Sequence, residues 1–263
     1  MAGVTDLEQE YSPSSRVGGS AQPFVDDYVA RSAAARDALG DRVEELPGGT
    51  RVVSAGAGAP LLVFVHGGYW QALSAAASLY LAPGALAQGW SYAAVEYPIA
   101  PGPTLPEMVE ACRAALTSLA ALGPHREVVL AGHSAGAHLA AMVALAAVPA
   151  LPVDRVVLLS GVYDLRPVVL TTVNDALGLH PDDAEALSPA LLPVASPTRT
   201  LVAWGDNETD AFKAQSHVMA AKLRLAGAAV TALERAPRHH FDIVDDLVDP
   251  ADPIGAFTLG GIG

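Results

Sequence analysis

Positive charge is scarce in this chain. Its 15 lysines and arginines stand against 28 aspartates and glutamates in 263 residues, a net charge of −13. With no basic cluster either, the balance argues against nucleic acid or an anionic membrane as a partner. Cysteine is rarer still. Cys112 stands alone, which excludes an internal disulfide framework and fits a reducing cytoplasm. No apolar run is long enough to span a bilayer. The first residues, MAGVTDLEQE, are acidic and lack the basic start and apolar core of a secretory signal. His125, His133, His138, His180 and His217 show no metal-ligand spacing and read as structural or exposed. Internal repeats and domain linkers are missing as well.

Hydrophobic residues make up 51% of the chain and charged ones only 16%, the composition of a globular protein with a sizeable core. Apolar runs at Leu61–Val65, Trp90–Val95, Glu127–Ala131, Arg155–Ser160, Thr200–Trp204 and Ala228–Glu234 read as strands. Helical stretches separate them: Leu73–Gln88, a helix opened by the capping box Thr104–Glu107 and stopped at Gly123-Pro124, Ala135–Val148, and Thr209–Ala226. A short helix begins at Phe241 and runs to Leu247. This alternation predicts an α/β protein with a mainly parallel central sheet and helices on both faces. A single domain is expected. Residues 1–40 form an arm and a helix (Phe24 to Leu39), and Glu44–Ser54 a weak hairpin. Residues 162–197 form a small helical cap excursion over the site, and residues 249–263 a flexible tail.

The chemistry gathers at Val128–Leu139, VVLAGHSAGAHL, where a strand breaks into Gly132-His133-Ser134-Ala135-Gly136 and enters an Ala-rich helix. That is G-x-S-x-G in its strand–turn–helix context, a nucleophile elbow. Small residues two before and two after Ser134 permit the tight turn, and the Ala135 amide sits at a helix N-terminus where it meets a developing oxyanion. A serine hydroxyl needs a base, and a base needs an orienting acid. Asp206, Glu208 and Asp210 follow one late strand, and His239 and His240 follow the last, in the chain order Ser…acid…His. His240 precedes the apolar start of the closing helix, which favours it over His239. After the first long strand, His66-Gly67-Gly68 is similar to an HGGG-type oxyanion loop, with Gly67 and Gly68 offering backbone amides and His66 holding the loop. Tyr69 and Trp70 are candidates to line an aromatic substrate pocket, or equally to pack in the core. Cys112, on an apolar helix face, reads as a small buried hydrophobe.

Taken together, His66-Gly67-Gly68-Tyr69-Trp70-Gln71, the elbow GHSAGAHL, Ser160-Gly161-Val162-Tyr163-Asp164-Leu165, Ser188-Pro189 and His240-Phe241-Asp242-Ile243-Val244 resemble the arylformamidase (kynurenine formamidase) family of α/β-hydrolases. Even the arm Glu10-Tyr11-Ser12-Pro13 is similar, so the resemblance runs from about residue 9 to about residue 248. It implies an α/β-hydrolase fold with Ser134 as nucleophile, His240 as base, and Gly67, Gly68 and Ala135 at the oxyanion. The family's usual aspartate falls on Glu208, with Asp206 as the alternative acid. The implied reaction converts N-formyl-L-kynurenine to L-kynurenine and formate through a formyl-serine, with a small aryl formamide as partner and no metal or organic cofactor. Arg166 stands where the resemblance leads one to expect an acidic residue. Arg16 and Arg166 are candidates to meet a substrate carboxylate. A homodimer stays open.

Overall fold

The structure, a computed structural model, describes residues 3–145 and 149–260. Eight strands carry it: β1 (Val43–Glu45), β2 (Arg51–Val53), β3 (Leu61–Val65), β4 (Ser91–Val95), β5 (Val128–His133), β6 (Arg155–Leu159), β7 (Arg199–Asn207) and β8 (Val230–His239). They form one sheet in the order β1-β2-β4-β3-β5-β6-β7-β8. The first two pair antiparallel, and β2 runs antiparallel to β4. From β4 to β8 every pairing is parallel.

The helices are α1 (Gly3–Glu10), α2 (Gln22–Leu39), α3 (Ala82–Ala87), α4 (Leu105–Ala120), α5 (Ala135–Ala144), α6 (Asn174–Leu177), α7 (Pro181–Ala186), α8 (Asp210–Leu225) and α9 (Pro253–Leu259). Alternate residues of the central strands feed two separate cores. Leu61, Val63 and Val65 of β3 and Leu130 of β5 pack with α4, α5 and α8. Leu62 and Phe64, with Val129 and Ala131, face the opposite layer of α2, α3 and α9. Side chains alternate along a strand with period two, so a sheet covered on both sides needs unbroken apolar runs rather than alternating ones. Strand β3, LLVFV, has that sequence and is buried throughout.

Several elements depart from the sequence reading. The stretch Leu73–Gln88 splits into a 3₁₀ segment, Ala76–Leu81, and α3, where Pro83 enters the first turn. Helix α5 ends at Ala144, short of Val148, and residues 146–148 lie outside the described ones. Strand β7 continues past Trp204 to Asn207 and β8 past Glu234 to His239, which carries both strands up to the site. The segment after Phe241 is 3₁₀, Ile243–Val248, rather than α-helical.

The tail is the largest correction. Residues 249–263 were expected to be flexible, yet Pro253–Leu259 are helix α9 with Ile254 fully buried. Asp252 caps its first turn by accepting from the Ile254 amide at 2.8 Å. A buried cation supplies the reason. The guanidinium of Arg155, 2% exposed, pairs with Glu127 at 2.6 Å through Nη2, and Nη1 and Nη2 donate to the carbonyls of Phe257, Thr258 and Gly260. A helix C-terminus offers unpaired carbonyls of that kind. Trp90 adds a hydrogen bond from Nε1 to the Leu259 carbonyl at 3.1 Å. Residues 261–263 of the tail lie outside the described residues.

Candidate active site

The elbow forms at the C-terminal end of β5. Ser134 adopts φ 54° and ψ −121°, a conformation costly for a residue with a side chain. The turn holds because the chain approaches its neighbours closely. A Cβ at residue 136 would lie 2.0 Å from the Val65 carbonyl oxygen, and one at residue 132 would lie 2.3 Å from the Gly136 oxygen. Only glycine fits at either place. The Ser134 amide donates to the Leu159 carbonyl at 2.8 Å, and the Ala137 and His138 amides donate back to the Ser134 carbonyl.

The HGGYW bend lies alongside, after β3. Gly68, Tyr69 and Trp70 have φ of 98°, 50° and 59°, three successive residues in the left-handed region. The surroundings over-determine them. Tyr97 donates its hydroxyl to the carbonyls of His66 and Gly67 at 2.9 and 3.1 Å, the Ala72 amide donates to Gly68 O, and the Ala100 amide to Trp70 O. His66 stacks on Tyr97 with ring centroids 4.2 Å apart. The amides of Gly67, Gly68 and Ala135 donate to no acceptor among the described residues.

His240 follows β8 and is 3% exposed. Its Nδ1 lies 3.2 Å from Oε2 of Glu208, itself 1% exposed. The other carboxylate oxygen of Glu208 accepts from the Gly205 amide and from Ser160 Oγ, both at 2.6 Å. Asp206 points elsewhere: it is exposed and accepts from the Arg238 amide at 2.9 Å. His239 likewise turns away, with Nδ1 accepting from the Phe241 amide. Phe212 meets the His240 ring edge-on, centroids 4.7 Å apart.

Ser134, His133 and His240 open onto one cavity of about 340 Å³. Ser134 and His240 share its wall with no direct hydrogen bond between them. Such bonds are often long until a substrate is engaged. His133, read from sequence as structural or exposed, is buried here and holds the base. Its Nε2 donates to the His240 carbonyl at 2.7 Å. Burial and the neighbouring His240 ring push its pKa down to about 3, so the ring is neutral.

Tyr69 lines the cavity, but Trp70 does not. Trp70 is fully buried in the core with its ring edge-on to His138, because the left-handed bend turns consecutive side chains to opposite sides. Arg16 and Arg166 are absent from the wall too. Arg16 is exposed, and Arg166 is bound to Asp164 by a bidentate pair.

Another part of the wall is one that sequence reasoning missed. It consists of Glu8, Tyr11, Ser12, Pro13 and Ser14 from the arm, with Ala21, Val25 and Tyr28 at α2. Hydrogen bonds fix the arm there. Tyr69 donates its hydroxyl to the Tyr11 carbonyl, Gln215 donates to Tyr11 Oη at 2.9 Å, and Thr209 donates to the Glu10 carbonyl at 2.6 Å. The available signal was the Glu10-Tyr11-Ser12-Pro13 motif, far in sequence from the rest. Thr172 and Val173 of the 162–197 excursion complete the rim. Among the described residues, no group of three or more His, Cys, Asp or Glu side chains is placed to hold a metal ion, and no helix is long and apolar enough to cross a membrane.

A family profile described as the alpha/beta hydrolase fold matches residues 62–242. The kynurenine formamidase of Danio rerio is 36% identical over 200 residues, covering 72% of this chain and 68% of that protein. The Drosophila melanogaster kynurenine formamidase is 31% identical over 211 residues, 74% and 70% of the two chains. The chain belongs to the arylformamidase (kynurenine formamidase) family of α/β-hydrolases. Solved structures agree on the fold of this arylformamidase-family protein. One from a Silicibacter species, provisionally described as a thioesterase, superposes with a TM-score of 0.85 at 29% identity, covering 95% of this chain and 98% of that one. An esterase of Pyrobaculum calidifontis reaches 0.68 at 21% identity over 97% and 93%. The arylformamidase-family elbow and HGGYW bend both fall inside the matched span, and so does Glu208.

Proposed function

We propose that this hydrolase cleaves an aryl formamide, N-formyl-L-kynurenine, to L-kynurenine and formate. The observation that carries the reading is the meeting of Ser134, in its strained turn, with a His240 ring braced by Glu208 on one cavity wall. The formamide class follows from the kynurenine formamidases to which the chain is similar.

In this reading Ser134 Oγ attacks the formyl carbon while His240 Nε2 takes the hydroxyl proton. Glu208 keeps the Nδ1 proton in place and stabilises the imidazolium. His133 stays neutral beside it, so the cation that forms meets no like charge. The tetrahedral oxyanion is met by the unpaired amides of Gly67, Gly68 and Ala135. Collapse breaks the C–N bond, and His240 returns its proton to the departing aryl amine. Water, deprotonated by His240, then attacks the formyl carbon, and formate leaves as His240 returns the proton to Ser134 Oγ. An aniline nitrogen leaves more readily than an alkyl amine, so this acylation is less demanding than peptide cleavage.

The test is direct. Purified protein is given formylkynurenine, and kynurenine appearance is followed by absorbance. Turnover is expected, with Ser134→Ala and His240→Ala each slower in kcat by at least about a thousandfold. Short aryl esters are easier substrates for the same machinery, so they are run in parallel. A higher kcat/KM on the ester, with formylkynurenine inert, would make this a carboxylesterase instead.

A further inference from the structure

The charge of the cavity bears on which aryl formamide it accepts. Among the described residues, Glu8 is, apart from the two histidines, the only one on the wall of a type charged at neutral pH, and no lysine or arginine lines it. Of the cations on neighbouring elements, Arg16 is exposed and lies off the wall, and four others are held in ion pairs. Arg31 pairs with Asp27 and Asp245, Arg166 with Asp164, Lys213 with Glu234, and Arg238 with Asp246. Glu8 is half-buried and accepts from the Thr172 amide and from Thr172 Oγ1 at 3.0 Å. A carboxylate offers about four lone-pair directions, so two remain for a ligand.

We propose that the site selects aryl formamides whose side chain carries an ammonium group, that Glu8 is the residue that reads that cation, and that a carboxylate on the substrate gains nothing from the cavity. The inference rests on the formamidase reading and sharpens its substrate class. Ser134 and Glu8 line the same cavity of about 340 Å³, a volume that takes a ring with a short amino-bearing chain. A charge-assisted hydrogen bond there would favour the ammonium form, while an anionic substituent meets only Glu8.

Four substrates separate the outcomes: a formanilide with an aminoalkyl chain, its zwitterionic amino-acid counterpart, an uncharged formanilide, and a carboxylated one. In the wild type kcat/KM should fall from ammonium to neutral to anion, with no loss when the zwitterion's carboxylate is removed. Glu8→Gln retains an acceptor for Thr172 but no charge. It should lower the ammonium-to-neutral ratio about tenfold, through KM rather than kcat. Thr172→Val breaks one leg of the Glu8–Thr172 contact and keeps the charge, so it should hold the wild-type ratio. Preference for the carboxylated substrate, or a ratio untouched by Glu8→Gln, would overturn the proposal. If formamides are inert and esters are not, the formamidase reading fails by itself. The same ladder is then read as calorimetric binding of the four formanilides to Ser134→Ala, where an ammonium-to-neutral ratio near one sinks the charge reading too.

Discussion

Glu208 carries the longest lever at the site. A glutamate reaches one methylene farther than an aspartate, and that extra length must be bent and held. Ser160 Oγ and the Gly205 amide take one oxygen, which presents the other to His240. Ser160 is fully buried and sits at φ 50°, a strained backbone of the kind that persists where surroundings dictate it. Hydrogen bonds to a charged group contribute about 1.5–3 kcal/mol, so Ser160→Ala should lower kcat by about tenfold to a hundredfold with KM little changed. Glu208→Ala should lose far more than Asp206→Ala, whose side chain touches only an exposed amide. Steady-state kinetics on the three variants tests the ranking, and parity between Glu208→Ala and Asp206→Ala would contradict the roles assigned. The acidic position was legible in sequence to within two residues. Spacing after a strand gives candidates and the family resemblance favours Glu208; what the structure adds is the burial of Glu208 beside His240 against the exposure of Asp206. Ser160 gave no signal of its role, because its partner lies 48 residues away.

At the scale of elements, the strands and elbow were readable because their pattern is local. Unbroken apolar runs mark β3 to β6, and two close approaches of backbone demand Gly132 and Gly136. What stayed hidden depends on distant partners. The arm owes its place to Gln215, which accepts from the Tyr163 and Asp164 amides and donates to Tyr11 Oη and the Asp164 carbonyl. Helix α9 owes its order to Arg155 and Trp90. Composition suggested fraying there, whereas a buried guanidinium in search of acceptors gives it structure. Ending the chain after Val248 would leave the Arg155–Glu127 pair short of those carbonyls. Disrupting a buried ionic network costs about 3–5 kcal/mol, which for a chain of this size is about 10 °C in Tm. Differential scanning calorimetry of the truncated form should show that drop, and an unchanged Tm would mean α9 is dispensable.

For the molecule as a whole, the parallel sheet brings every loop that bears chemistry to the C-terminal edge of its strands, the place where ligands bind in such folds. That convergence was legible from strand order alone. The stability consequence was not, since it depends on burial of histidines that looked unremarkable in sequence. His133 is pushed down to about 3, by burial first and the His240 ring second, and His138 to about 4 by burial, partly offset by its bond to the Leu187 carbonyl. Both rings are neutral in the folded protein at pH values where the unfolded chain, with histidines near 6.5, takes up protons. The unfolded state therefore binds more protons below about pH 6.5, and stability falls as pH drops from there toward 4. Two such groups give a slope of about 3 kcal/mol per pH unit in the middle of that window, and almost none above about pH 7.5. His138→Gln can still donate to the Leu187 carbonyl but does not titrate, so it should remove about half of the slope between pH 6 and 4.5. Urea unfolding midpoints across pH 8 to 4 measure both lines. Parallel curves for wild type and His138→Gln would show that His138 is protonated in the fold and that acid sensitivity arises elsewhere.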